Sequence, residues 1–393
     1  MQRTGNTRKE TPNYAIEDEE CLGLRLVGML LQCAEAVAMD NLDLAASILP
    51  EITHLASPFG SPAMRVAAYF SDALQSRLMS SWLGMYAPLP SYALEPFSQR
   101  LLNAFQAYNA ILPLVKFSHF TANQAIVQAV SQVSRVHIID LDIMQGLQWP
   151  GLFHLLSTCS TSPPSVRITG FGSCARELAA TGERLSVFSA SLGLAFEYTG
   201  LVCRAGEVRD LARLKLQGGE TVIVNWVHHY MYDVTGSDAG LLKLLHSVKP
   251  RLITMVEQDV SHGDGGGFLR RFVNALHYYS ALFDALGSMQ DSMNQDRNIA
   301  EQQVLGREIK NIVGGGGRKR RGAMVGGRWG AELGKLGFRG VSLRGSAADQ
   351  ARLLLGMYPW QEGYSVVEEG GCLRVGWKDL ALLTASAWEP CVM

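Results

Sequence analysis

Five short runs rich in β-branched and other apolar residues, at 136–141, 165–169, 194–198, 221–226 and 252–257, recur through the middle of the chain, with helix-spaced stretches between them. A strand buried on both faces reads as a continuous apolar run, and the helix between two such runs is the crossover that parallel pairing requires. This pattern predicts an α/β core built on a doubly wound sheet with helices on both faces. Further on, the runs 364–368 and 372–377 flank Glu369-Gly370-Gly371, a hairpin signal that adds an antiparallel pair. Two longer helices are expected at 268–286 and 299–313, and another at 347–357.

Before the first of these runs the period is helical. Leu26, Leu30, Cys33 and Val37 recur three or four residues apart, as do Leu44, Ala45, Ile48, Leu49, Ile52 and Leu55. Pro50, Pro58, Pro62, Pro88 and Pro90 punctuate this stretch, so residues 21–122 are expected to form an α-helical cap, with 123–393 as the core and its later helices free to join the cap. Residues 1–20, with Arg8 and Lys9 ahead of an acidic run at 17–20, read as a flexible polar tail. Leu26, Leu30, Cys33 and Val37 form a stripe on one helix face and are candidates for partner binding by helix-in-groove pairing. Leu241, Leu244 and Leu245 match an LxxLL partner motif, but their spacing suits the inner face of a sheet-covering helix, and they are assigned to the core.

Charge excludes one broad class. Lys plus Arg total 35 against 36 Asp plus Glu, a net charge of −1, so the global basic excess of a self-sufficient nucleic-acid binder is missing and DNA contact must be local or indirect. The seven cysteines are scattered and never spaced as CxxC, which points to a reducing compartment and away from a zinc module. The longest charge-free stretch, 143–166, contains Gln145, Gln148, Pro150, His154 and Pro163-Pro164, which is poor material for a membrane span. No apolar segment of secretory type follows the first basic residues, so an intracellular protein is expected. Arg318, Lys319, Arg320 and Arg321 follow four glycines and form the one dense cationic cluster, a candidate for nuclear import or phosphate contact as well as a plain solvated loop.

Two places invite an enzymatic reading. Gly170-Phe171-Gly172-Ser173-Cys174-Ala175 follows a strand and opens a helix, and Glu197 is placed at the end of the next strand, as in a dinucleotide fingerprint; the same glycines also suit a tight strand-to-helix turn. Asp140-Leu141-Asp142 ends the first strand, where open α/β sheets bind ligands and where S-adenosylmethionine-dependent methyltransferases carry a glycine-rich loop. Here that loop is Ile143-Met144-Gln145-Gly146-Leu147-Gln148-Trp149, with a single glycine and several bulky side chains. Asp140, Gly170, Gly172 and Glu197 thus form the cofactor-binding set of an alternative reading, an S-adenosylmethionine- or dinucleotide-binding enzyme, while the main expectation is no cofactor, no metal and no catalytic residue. His228-His229 with Asp233 lacks a third ligand at defined spacing, Gly334-Lys335 lacks the rest of a P-loop, and no G-x-S-x-G occurs.

Val136-His137-Ile138-Ile139-Asp140 resembles the VHIID signature of the plant GRAS family, and the surrounding text is similar to its SCARECROW branch over residues 20–393. The branch is recognised in the strings 117–125, 140–151 and Val256-Glu257-Gln258-Asp259. Tyr278-Tyr279 and Arg307-Glu308 resemble parts of the family's PFYRE region, and Gly376-Trp377-Lys378-Asp379 with Ser386-Ala387-Trp388 its SAW region. The resemblance implies an α-helical cap on a Rossmann-like, methyltransferase-like core. It implies a nuclear transcriptional regulator that acts as a protein–protein scaffold in radial patterning and asymmetric cell division. The implied partners are a SHORT-ROOT-type GRAS protein, paired through the cap, and INDETERMINATE-domain zinc-finger proteins that contact DNA, so that DNA is reached indirectly and no membrane is involved. Asp140, Asp142, Trp149, Tyr278, Tyr279, Arg307, Glu308, Trp377 and Trp388 are expected to be structural, with the Trp388 ring buried and Arg307 and Glu308 in ion pairs or at a helix cap. Three departures stand out: the long low-complexity N-terminal extension typical of the branch is not in this sequence, the stretch 314–327 differs from the usual text, and Glu389 stands where the family commonly has Arg, a reversal expected to break any carboxylate pair made there.

Overall fold

Five parallel strands form the centre of the molecule: β1 (Arg135–Asp140), β2 (Ser165–Gly172), β3 (Phe196–Val202), β4 (Thr221–Val227) and β5 (Leu252–Gln258). Their order, β3-β2-β1-β4-β5, reverses direction between β1 and β4, as in a Rossmann-like doubly wound sheet. The computed structural model describes residues 13–82, 99–159, 164–227, 238–259, 267–288, 294–314, 328–358 and 361–391. Beyond β5 the sheet turns antiparallel through β6 (Phe338–Val341), β7 (Tyr364–Glu369), β8 (Cys372–Trp377) and β9 (Leu380–Pro390). β9 lies between β5 and β8 and also pairs with β6. The β7–β8 turn is two residues, Gly370 and Gly371 at φ +58° and +85°, the left-handed pair that matches strand twist and favours glycine.

Successive side chains of a strand face opposite ways, and both faces here are apolar. Val136 and Ile138 join one core; Ile139 and Leu141, with Val224, Trp226 and Met255, join the other. The helices before and between the early strands are α1 (Asn13–Ala38), α2 (Leu42–Leu55), α3 (Pro62–Trp82), α4 (Gln99–Ile111), α5 (Leu114–Ala129), α6 (Trp149–Cys159), α7 (Ala175–Ser191) and α8 (Asp238–Val248). Later come α9 (Phe268–Gly287), α10 (Asn294–Ala300), α11 (Gly306–Gly314), α12 (Arg328–Lys335) and α13 (Ser346–Gly356). α5, α6 and α7 cover the first face; α8 and α12 cover the second through Leu241, Leu244, Leu245, Trp329 and Leu333.

α1 to α4 form the cap, and α9 to α11 pack into it against α1, α3 and α4. The contact is anchored by a buried ion pair. Arg65 on α3 donates through Nε to Glu301 Oε1 at 3.0 Å and Oε2 at 3.1 Å, and through its other nitrogens to the carbonyls of Gly60 and Phe283. Glu301 opens a π turn, Glu301–Leu305, that joins α10 to α11. Cap and first sheet face share one continuous apolar core, in which Leu26 and Phe70 belong with Ile138 and Ile168.

Several boundaries differ from the expected ones. α1 begins at Asn13, so the second half of the expected tail is helical; residues 1–12 lie outside the described residues. The expected cap boundary at 122 falls inside α5, which packs on β5 and β9. β2 runs to Gly172, so Gly170-Phe171-Gly172 is extended strand and not a strand-to-helix turn. α12, β6 and β9 were not anticipated as elements; β9 begins in the text read only as a motif.

Candidate functional site

The carboxyl ends of β1, β4 and β5 meet where a doubly wound sheet offers its ligand crevice. In this chain that end is closed by its own polar side chains. Trp149, the first residue of α6, is fully buried and donates Nε1–H to Asp140 Oδ2 at 3.0 Å; the Asp142 N–H donates to Asp140 Oδ1 at 3.2 Å. Beside them Gln148 and Asn225 exchange side-chain amide bonds at 3.1 Å, Gln148 also donates to Asn123 Oδ1 at 3.1 Å, Asn123 returns a bond to the Gln148 carbonyl, and Thr254 donates to Asn225 Oδ1 at 2.9 Å. A buried network in which each member finds partners is rigid, because breaking any link leaves an unsatisfied group. Burial pushes the Asp140 carboxyl up to about 7 despite the bonds it accepts, and burial with Asp140 as neighbour pushes Asp142 up to about 8.

The residues of the cofactor alternative do not assemble. A Cβ on Gly170 would lie 2.7 Å from Ile143 Cγ2, and one on Gly172 would lie 3.0 Å from Leu178 Cδ2. These glycines make room for the protein's own leucine and isoleucine and present no bare backbone turn to a pyrophosphate. Glu197 is exposed and lies in strand register opposite Arg167 near the start of β3, not its end, about 16 Å along the strand from the level of Gly172. The reason is that β3 starts two residues later and ends four residues later than the expected 194–198, running from Phe196 to Val202. Among the described residues, two clefts flank the 142–149 loop. One has Asp142, Ser173 and Glu177 on its walls; the other reaches Asp140, Asn109 and His119 under α4 and α5, and neither encloses room for more than a few water molecules.

The opposite end of β1 carries a second network. His137 Nε2 lies 2.8 Å from Thr169 Oγ1, Arg167 donates to His137 Nδ1 at 3.0 Å, and Glu220 binds the Arg167 guanidinium. Burial and the adjacent Arg167 hold the imidazole down at about 4, so it is neutral in the fold.

The partner-binding stripe is corrected. Leu26, Leu30 and Cys33 are fully buried and Val37 nearly so, because α1 turns that face onto α2, α3 and α9; the outward residues at that end of the cap are Leu24 and Met39, 75% and 78% exposed. The segment 19–38 has the length and apolarity of a membrane span, but its apolar stripe packs into the cap. Tyr278 donates to the Leu382 carbonyl, Tyr279 to Glu308 Oε2 at 2.9 Å, and Arg307 to Gln303 Oε1 at 3.0 Å, so Arg307 and Glu308 form links along and between helices. Trp377 is buried and donates to Asp284 Oδ2 at 2.7 Å. Ser386 and Ala387 are buried in β9, whereas Trp388 is only half-buried, its Nε1 on Ser386 Oγ at 3.0 Å. Glu389 has gained a partner in place of the pair expected to break: opposite it on β6, Arg339 donates to Oε1 through Nε at 3.0 Å and Nη2 at 2.7 Å. Arg318, Lys319, Arg320 and Arg321, and His228, His229 and Asp233, lie outside the described residues. Among the described residues no group of three metal-binding side chains occurs.

Sequence reasoning missed Asn123, Gln148, Asn225 and Thr254. Their one signal was polarity inside apolar runs, as at Asn225 in 221–227 and Thr254 in 252–258.

A parallel sheet closed at its ligand end by its own side chains and roofed by helices from both ends of the chain defines a class, a Rossmann-like domain with a helical cap. A model of the GRAS domain family matches residues 26–389, and the chain belongs to that family. Protein SCARECROW of Pisum sativum is 54% identical over 368 residues, 94% of this chain and 44% of the relative. Scarecrow-like protein 23 of Arabidopsis thaliana is 53% identical over 386 residues, 97% of this chain and 94% of the relative. The crystal structure of SCL7 from Oryza sativa superposes with a TM-score of 0.78 at 33% identity, covering 93% of this chain and 99% of that one. The chain spans about half the length of the SCARECROW relatives it matches, 44% of the pea protein and 58% of the Arabidopsis one.

Proposed function

We propose that this chain is a nuclear transcriptional regulator that works as a protein–protein scaffold and not as an enzyme. A SHORT-ROOT-type GRAS protein pairs with it, INDETERMINATE-domain zinc-finger proteins supply the DNA contact, and the assembly acts in radial patterning and asymmetric cell division. The observation that carries the scaffold reading is the closed crevice: Trp149 occupies Asp140, and the Gln148–Asn225–Asn123 network fills the strand ends where an α/β enzyme would place its cofactor. Similarity to SCARECROW proteins supports the choice of partners. Pairing through the cap must use its outward residues, since the Leu26 stripe is spent on the interior.

The test is light scattering after size exclusion, on the chain alone and mixed with a SHORT-ROOT-type GRAS domain. A one-to-one complex is expected, lost in the doubly substituted Leu24→Asp, Met39→Asp chain while its circular dichroism is unchanged. No complex with the intact chain would refute the partner, and a complex that survives the double substitution would move the interface off this end of the cap.

A further inference from the structure

The amino ends of β4 and β5 carry a cationic surface that the fold does not use. Arg209, Arg213 and Lys215 lie on and beside the 3-10 turn Leu211–Leu214 that precedes β4; Lys243 lies on the outer side of α8, and Lys249 and Arg251 link α8 to β5. Tertiary structure joins these segments on the second sheet face. Leu214 packs in the same core as Leu241, Leu244 and Leu245 of α8, and the Arg251 N–H donates to the Val222 carbonyl at 2.8 Å. The turn Ala205–Glu207 presses so close to α8 that a Cβ on Gly240 would lie 1.9 Å from the Gly206 carbonyl oxygen. All six cations are exposed, and among the described residues none of them forms an ion pair, Arg213 donating only to Cys203 Sγ at 3.6 Å. The carboxylates nearby are engaged: Glu207 lies 3.9 Å from Arg204 Nη1, Asp210 accepts from the Ala212 N–H, and Glu220 holds the buried Arg167. In a chain of net charge −1 this is a local positive excess. Two of the cations are also held under strain. Lys215 and Lys249 have φ of +49° and +46°, a left-handed backbone in which glycine is at ease and lysine is not, and an unpaired surface charge gives the fold nothing in return. Among these charges Leu211 and Leu216 stand 36% and 41% exposed.

We infer that this surface docks an acidic peptide segment of a partner protein, one in which carboxylates alternate with apolar side chains: the acids meet Arg209, Arg213, Lys215, Lys249 and Arg251, and the apolar groups cover Leu211 and Leu216. A nucleic-acid backbone would answer the charges but set phosphates against the two leucines, whereas acids interleaved with apolar groups answer both. The surface lies on the sheet face opposite the one that shares its core with the cap, so a peptide held here leaves Leu24 and Met39 open, and the inference stands apart from the partners proposed above.

Fluorescence anisotropy of the full chain tests it, with a labelled synthetic peptide in which Asp and Glu alternate with Phe and Leu. Saturable binding is expected, weakening at least about tenfold when salt is raised from about 0.1 M to about 1 M and the screening length falls from about 10 to about 3 Å. The same peptide with Ser in place of Phe and Leu should bind about tenfold more weakly. The decisive variant is the double Lys215→Gly, Lys249→Gly, which removes two charges at positions whose backbone favours glycine; it should melt like the intact chain yet bind the peptide at least about tenfold more weakly. Leu211→Ser with Leu216→Ser, both at exposed positions, should weaken binding as well and serves as the second variant if the first does not fold. A labelled DNA duplex and phosphatidylserine-containing vesicles, titrated alongside, should bind less tightly than the peptide. Tighter binding of the duplex or the vesicles, full peptide affinity in the two folded variants, equal binding of the serine peptide, or no saturable binding of the acidic peptide would each overturn the inference.

Discussion

At the residue scale, what a tryptophan contributes here depends on its surroundings. Trp149 is fully buried with its indole N–H on Asp140, so Trp149→Ala should cost about 3 to 5 kcal/mol. Trp149→Phe, which keeps most of the ring but strands the carboxyl, should cost about 1 to 3 kcal/mol. Trp388, half-buried and close to Gly330, should cost about 1 to 2 kcal/mol as Ala, well below what its motif position suggested. Urea unfolding of the three variants gives the ranking. The buried carboxyls make a prediction about pH. Asp140 near 7 and Asp142 near 8 bind protons more tightly folded than unfolded, so their contribution is complete at low pH and is lost as pH rises through 8. Glu257 near 8 and Glu301 near 7 act in the same sense, while neutral His137 acts oppositely only below about 6.5. Four raised carboxyls outweigh one histidine, so stability should decline as pH rises from about 4.5 to 8, and Asp142→Asn should flatten that decline in thermal melts. The motif residues were legible because they sit in runs; the Asn123–Gln148–Asn225–Thr254 network was not, because its members come from four separate elements and meet only through tertiary structure.

Elements were legible wherever burial on both faces wrote itself as an apolar run. β1, β2, β4 and β5 begin within a residue of where the sequence places them, and α9 spans its expected stretch. β3, which is an edge strand with a largely part-exposed side-chain pattern, lacks that signature; its start falls two residues and its end four residues later than expected, which puts Glu197 near its start and not its end. The union of α3 with the π turn was invisible too, since Arg65 and Glu301 are 236 residues apart. That pair is expected to behave as buried ion pairs do. Arg65→Met or Glu301→Leu alone should cost about 3 to 5 kcal/mol by leaving the partner charge uncompensated, and the double substitution should recover most of it. A double-mutant cycle measures the coupling, and additive losses would show that the pair is not a unit. On the surface, Arg339 and Glu389 are partly solvated, so Arg339→Ala should cost no more than about 1 kcal/mol despite its good geometry.

For the molecule as a whole, the division into cap and core describes ancestry of pattern more than independence of folding. α9 to α11 return to the cap, α5 belongs to the sheet, and one apolar core runs through both. Calorimetry should accordingly show a single transition whose calorimetric and van't Hoff enthalpies agree, with near- and far-ultraviolet dichroism melting together; two resolved transitions would separate the layers. The helical and strand-rich halves could be read from periodicity, but the order of strands could not, since which run lies beside which is decided by contacts across hundreds of residues. Nowhere is that plainer than at β9. The last strand of the described chain is inserted in the interior of the sheet, holding β5 on one side and β8 and β6 on the other. During synthesis, the whole parallel half therefore waits on the ribosome with the open edge of β5 exposed to other nascent chains, and a chain cut just before Leu380 would keep its parallel strands with nothing to join β5 to β8 and β6.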